Sequence, residues 1–259
     1  SFMKNIKFLS EYMNEYEYKD DYILIGGNGC ALNFELAEVE FRATEDLDIV
    51  LLTDGQNEQF YDHLYNFLIE HDYRGKVFNG SNVGGSAYRF TKTKSGDVDL
   101  PAQIELFSKK PTYFDENKSI KLHITPIETH DGISNFSAIL LDDYVYDFIL
   151  KSKKEINNIS TVNLECLLGL KSIAWHANEI LLSQGQSKEI NVIKHPADML
   201  RISSIIEAMD FYYPEMVFQS LTKSYTEFEK GDILRRIEDP SLDVQAYLNY
   251  YSSHAKLAS

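Results

Sequence analysis

Two short apolar runs constrain this chain most. Tyr22-Ile23-Leu24-Ile25 ends on Gly26-Gly27 and reads as a buried strand stopped by glycine. Leu47-Asp48-Ile49-Val50-Leu51-Leu52 is a second buried strand. Between them Cys30 to Val39 reads as a helix through Ala31, Leu32 and Leu36, and after the second run Glu58 to Ile69 reads as an amphipathic helix. Lys4 to Tyr18 places Ile6, Leu9, Met13 and Tyr16 at helical spacing. Strands are expected at Ala87–Thr93, Gln103–Ser108, Lys121–Ile124 and Ser137–Leu141. The order predicts a mixed α/β (α+β) lobe with flanking helices and a largely antiparallel half.

Past Asp142 the pattern turns helical. Tyr144–Lys154, Asn163–Ser183, Pro196–Met209, Pro214–Glu229, Gly231–Ile237 and Ser241–His254 all read as helices. The expected division is therefore an α/β lobe over residues 1–142 and an α-helical C-terminal lobe over residues 143–259.

Charge narrows the class of protein. The 259 residues hold 40 Asp+Glu against 25 Lys+Arg, a formal charge of −15. That balance disfavours gripping nucleic acid by bulk charge, which requires a basic face. Residues 1–75 alone carry 16 acidic and 5 basic side chains, so the excess sits at one end. No apolar run is long enough to span a membrane. Cys30 and Cys166 lie among apolar neighbours and read as buried free thiols. No charged-then-apolar leader opens the chain, and Ser1-Phe2 before Met3 reads as an expression scar. A cytoplasmic location is the expectation, which makes the sequons at Asn135 and Asn158 chance matches.

The chemistry is concentrated around the two apolar runs. Asp46 and Asp48 are two apart at the start of a strand, so their carboxylates project from one face. Like charges this close repel unless a cation lies between them, and oxygen ligands select a hard ion, Mg²⁺ or Mn²⁺. A third carboxylate would complete the site. Glu105, the lone acid of Gln103-Ile104-Glu105-Leu106-Phe107, is the best candidate, with Asp99 its rival. Gly26-Gly27 closes a strand and opens a helix, where backbone N–H groups cradle phosphate without a Cβ in the way. A phosphate cradle beside a metal site suits transfer from a nucleoside triphosphate. Arg42 is open to phosphate or to the acids Glu38, Glu40 and Glu45; Thr44 reads as an ordering hydrogen-bond donor.

Gly26-Gly27 followed by Arg42-x-Thr44-x-Asp46-x-Asp48 resembles the signature of the nucleotidyltransferase fold of DNA polymerase beta. It is most similar to the AbiEii-type branch, which includes toxins of bacterial toxin–antitoxin systems. The resemblance spans most of residues 23–205. It implies metal ligation by Asp46, Asp48 and Glu105, and nucleotide contacts from Gly26, Gly27, Asn28, Arg42 and Thr44. It further implies that the helical lobe supplies Lys171, from Leu167-Leu168-Gly169-Leu170-Lys171, and a basic-x3-acid motif at Lys194 and Asp198. Asn28 stands where that branch often has Ser or Thr.

The implied activity is Mg²⁺-dependent transfer of a nucleotide from an NTP to an acceptor hydroxyl, with release of pyrophosphate. The acceptor class stays open among RNA, protein and small molecule, and an antitoxin-like protein is the implied partner. The alternative is a catalytically degenerate nucleotide-binding or interaction protein of the same fold. The basic groups Arg89/Lys92/Lys94, Lys109/Lys110 and Lys151/Lys153/Lys154 read mostly as solvated faces. The seven histidines show no metal-ligand spacing.

Overall fold

A computed structural model describes residue 9 and residues 18–52, 57–79, 86–93, 100–109, 122–126 and 139–259. The strands are β1 (Tyr22–Ile25), β2 (Asp46–Leu51), β3 (Tyr73–Asn79), β4 (Ser86–Lys92), β5 (Gln103–Ser108), β6 (Thr125–Pro126), β7 (Lys153–Ile156), β8 (Ile159–Val162), β9 (Phe211–Tyr213) and β10 (Ala255–Leu257). The helices are α1 (Gly26–Leu36), α2 (Glu58–Glu70), α3 (Asp143–Lys151), α4 (Leu164–Ser183), α5 (Glu189–Ser203), α6 (Glu215–Lys230), α7 (Asp232–Ile237) and α8 (Val244–His254). The architecture is mixed α/β.

The chain forms two compact units. The first comprises Ser1–Thr129, Ser137–Leu141 and Lys153–Val162; the second comprises His130–Phe136, Asp142–Ser152 and Asn163–Ser259. The division is thus not a single cut at residue 142, because the β7–β8 hairpin belongs to the first unit. Its anchors are specific. Thr161 Oγ1 donates to the Leu24 carbonyl at 2.8 Å, and Asn33 Nδ2 donates to the Val162 carbonyl at 3.0 Å.

The first unit is built on a six-stranded sheet in the order β1-β2-β5-β4-β3-β6. β2 and β5 run parallel; β1–β2, β5–β4 and β4–β3 are antiparallel. Strand side chains alternate between faces. Leu24, Ile49, Leu106, Tyr88 and Val77 are successive register partners on one face. They share a hydrophobic cluster with Phe60, Leu64, Phe67 and Leu68 of α2. Burial of that face fixes the register, since a one-residue slip would turn Asp48 and Glu105 into the core.

Several expected boundaries move. α1 starts at Gly26 rather than Cys30, so the two glycines form the helix's first turn. Tyr73–Asn79 is a strand that the sequence pattern did not give. Leu122 and His123 form a turn before β6, not the expected strand, and Leu140 is helical rather than extended. α3 ends at Lys151 because β7 begins two residues on, and α5 starts at Glu189 with Pro196 inside it. The expected helix over residues 4–18 lies outside the described residues except for Leu9 and Tyr18, both buried.

The second unit packs its helices around Trp175, Tyr213, Phe228 and Tyr247, all at most 2 % exposed. Helix starts are fixed by side-chain caps: Asp142 accepts from the Tyr144 N–H, Asn163 from Cys166 and Asp243 from Gln245, each at 2.9 Å. Cys30 and Cys166 are buried free thiols, as expected.

Candidate active site

The site lies on the other face of the sheet. Ile25, Asp48, Glu105, Arg89 and Lys76 are register partners across β1, β2, β5, β4 and β3. Asp46 is paired with Gln103 one row away on the same face. Adjacent strands stand about 4.8 Å apart, so Asp48 and Glu105 are immediate neighbours. The three carboxylates predicted to act together therefore share one surface, although Glu105 lies 57 residues beyond Asp48 in the chain.

The glycine turn is pressed against this row. Gly26 has φ +70°, a left-handed conformation that side chains resist, and a Cβ there would collide with the Asp48 carboxylate. A Cβ on Gly27 would come within 2.7 Å of Thr44 Oγ1. Both halves of the signature thus meet in space: the Gly-Gly turn packs directly on Thr44 and Asp48. Asn28 is fully buried, and its Nδ2 donates to the Asp46 carbonyl at 2.5 Å. It ties the first turn of α1 to the start of β2. No side chain caps the N-terminus of α1, and its first turn carries no acid, so its amides are suited to an anion. Arg42 has its guanidinium carbon 5.4 Å from the Phe41 ring centroid, and its Nη1 donates to the Ala43 carbonyl at 3.3 Å.

Glu105 carries the strongest electrostatic signature on this face. Burial first, and then the charges of Asp48 and Asp46, raise its pKa to about 8, against a lowering by the Arg89 guanidinium. Arg89 Nε and Gln103 Nε2 both donate to Glu105 Oε1, at 3.1 and 2.8 Å. Arg89, expected on a solvated face, is instead part-buried against Glu105. Its signal was a lone base between Tyr88 and Phe90, on a strand facing another whose lone acid is Glu105. Asp99 lies outside the described residues, as do Lys94 and Lys110.

Among the described residues, no three His, Cys, Asp or Glu side chains converge closely enough to hold a metal ion. Asp46 and Asp48 present carboxylates on one face with Glu105 in register beside them; carboxylate oxygen is the donor type that a hard divalent cation takes.

In the second unit, Lys171 and Asp198 are brought together although α4 and α5 carry them separately. Lys171 Nζ lies 2.8 Å from Asp198 Oδ2, and Arg201 Nη1 lies 2.9 Å from Asp198 Oδ1. Asp198 is fully buried and Lys171 is 6 % exposed. Lys194, expected to act with Asp198, is half-buried and makes no ion pair among the described residues. The carboxylate of Asp198 instead serves Lys171 and Arg201.

No family model, curated protein or solved structure matches this chain.

Proposed function

We propose that this protein is a divalent-metal-dependent nucleotidyltransferase that moves a nucleotide from an NTP to an acceptor hydroxyl. One observation carries the reading: Asp46, Asp48 and Glu105 share a sheet face against which the Gly26-Gly27 turn is packed. Phosphate would lie on the backbone N–H groups at the start of α1, where glycine admits close approach. Asp46, Asp48 and Glu105 would hold Mg²⁺ or Mn²⁺, which supplies charge neutralisation for the phosphates and polarises the reacting oxygens. Glu105 would also help to deprotonate the acceptor hydroxyl. The acceptor oxygen forms a bond to the α-phosphorus, the bond from that phosphorus to the bridging oxygen breaks, and pyrophosphate leaves. The toxin role of a toxin–antitoxin pair, with an antitoxin-like partner, is the biological setting proposed.

A second reading is a nucleotide-binding protein that does not transfer. The hold of Arg89 and Gln103 on Glu105 favours it. Calorimetry separates the two: nucleotide binding without pyrophosphate release supports the second. A transfer assay with α-phosphate-labelled NTPs against RNA, protein and small-molecule acceptors tests the first. Label moving to one acceptor class identifies the substrate; no transfer with any pairing counts against the enzyme reading.

A further inference from the structure

The open face of the six-stranded sheet is divided by charge. Its acids, Asp46, Asp48 and Glu105, stand on β2 and β5. β4, β3 and β6 continue the same face, and none of these three strands carries an acid. Arg89, Lys76 and Thr125 extend the row of Asp48 and Glu105 as successive register partners. Thr91 and Arg74 extend the row of Asp46 and Gln103. Arg74, Lys76, Thr91 and Thr125 are exposed. The side chains of Arg74 and Lys76 make no ion pair or hydrogen bond among the described residues, in a chain with 40 Asp+Glu against 25 Lys+Arg. Lys76 also stands directly opposite Arg89 on antiparallel strands, and like charges so placed destabilise a sheet. Pairing within the protein therefore explains neither base.

Guanidinium, ammonium and hydroxyl donors are the groups that hold phosphate in nucleic-acid interfaces. Neighbouring strands stand about 4.8 Å apart, and alternate residues of one strand about 6.7 Å. The patch is thus about 10 Å across from β4 to β6. That size suits several phosphates of one chain, and the acids on β2 and β5 would repel a second chain beside it. The overall charge opposes a grip by bulk charge, but counterion release requires only a local basic face.

We propose that the β4–β3–β6 half of this face is a docking surface for single-stranded nucleic acid, held through its backbone phosphates. Arg74, Lys76 and Arg89 supply the charge, and Thr91 and Thr125 supply hydroxyl donors beside them. Contact through phosphates makes the binding salt-dependent and tolerant of sequence. The surface needs neither a cation nor an NTP, so it stands apart from the transfer reading of Asp46, Asp48 and Glu105.

The test is fluorescence anisotropy of a labelled short oligouridylate, single-stranded or paired with oligoadenylate, titrated with the full chain in chelator at several salt concentrations. Three phosphate contacts predict a slope of about −2 for log K against log salt. Lys76→Gln and Arg74→Gln should each weaken binding about fivefold at about 0.1 M salt, and the double variant should flatten the slope by about 1.4. Lys188→Gln removes the same charge from an exposed position of the second unit and should leave binding unchanged. Thermal unfolding identifies any variant that fails to fold; if one of the two single variants does so, the other carries the test. No binding by the wild type, undiminished binding by the folded double variant, or an equal loss in Lys188→Gln would overturn the docking surface. Tighter binding of the duplex than of the single strand would overturn its assignment to single strands. Pyrophosphate release tests the transfer reading separately.

Discussion

Asp48 on β2 and Glu105 on β5 are direct register partners on parallel strands, and the charge of Asp48 is the largest contribution after burial to the raised pKa of Glu105. Parallel pairing brings together residues far apart in sequence, since the connection must cross over before the strand can return alongside. Here it assembles a carboxylate face on a sheet whose opposite face is the hydrophobic core.

The Asp48–Glu105 repulsion has a measurable sign. Glu105 is raised from 4.5 to about 8, so the folded state binds its proton more tightly than the unfolded chain does. Its contribution to stability is fully present below pH 4.5 and is lost as pH rises through 8. Urea unfolding in chelator should show wild-type stability falling over that window, by at most about 1.4 kcal/mol per pH unit. Glu105→Gln should flatten the fall. Saturating Mg²⁺ should stabilise the wild type at the alkaline end and leave Asp48→Ala unchanged.

The glycine turn predicts a coupling. Gly26→Ala places a Cβ against the Asp48 carboxylate at φ +70° and should cost about 1–3 kcal/mol together with most of the activity. Gly27→Ala meets Thr44 Oγ1 instead. It should therefore cost less when introduced into Thr44→Ala than into the wild type. An additive double-mutant cycle would show that the two groups do not press on each other.

The buried Lys171–Asp198 pair predicts a stability effect that precedes any effect on catalysis. Removing Asp198 leaves the buried Lys171 ammonium without its carboxylate, so Asp198→Ala should cost about 3–5 kcal/mol in urea unfolding, and Lys171→Met less, because Arg201 still pairs with Asp198. Lys171→Met combined with Asp198→Leu should cost clearly less than the two singles together. Activity of these variants must accordingly be read at a denaturant-free temperature well below their melting points.

His176 predicts acid sensitivity in the second unit. Burial, then Lys223, lowers its pKa from 6.5 to about 4, and its Nε2 lies 2.8 Å from Ser224 Oγ. The folded state resists protonation, so stability is fully present above pH 6.5 and is lost as pH falls through 4. The slope is below about 1.4 kcal/mol per pH unit because the ring is only partly buried. His176→Gln should remove it, as measured by thermal unfolding between pH 4 and pH 7.

What the sequence made legible was whatever local pattern determines. The mixed α/β class follows from alternating strand and helix patterns. Asp46 and Asp48 were legible because alternation alone puts them on one face, and Glu105 because it is the lone acid in an apolar strand. Strand β3 was not, since Gly75 reads as a breaker. In the fold that glycine is required: a Cβ there would lie 2.6 Å from the Phe90 ring. The β7–β8 hairpin left a readable trace in Asn157-Asn158, whose φ values of +50° and +65° suit a tight two-residue turn. The grip of Arg89 on Glu105 depends on antiparallel register across a long connection, which residue types do not encode. Nor does spacing encode the choice of Lys171 and Arg201 over Lys194 as partners of Asp198; helix packing decides it.

The most direct measurement is pyrophosphate release from each NTP, in the presence of an acceptor panel, by wild type and Asp48→Ala with Mg²⁺ or chelator. Release by the wild type that requires Mg²⁺ and disappears in Asp48→Ala is the expected result. Equal release by Asp48→Ala, or release undiminished by chelator, would contradict the assignment of this face as a metal-dependent nucleotidyltransferase site.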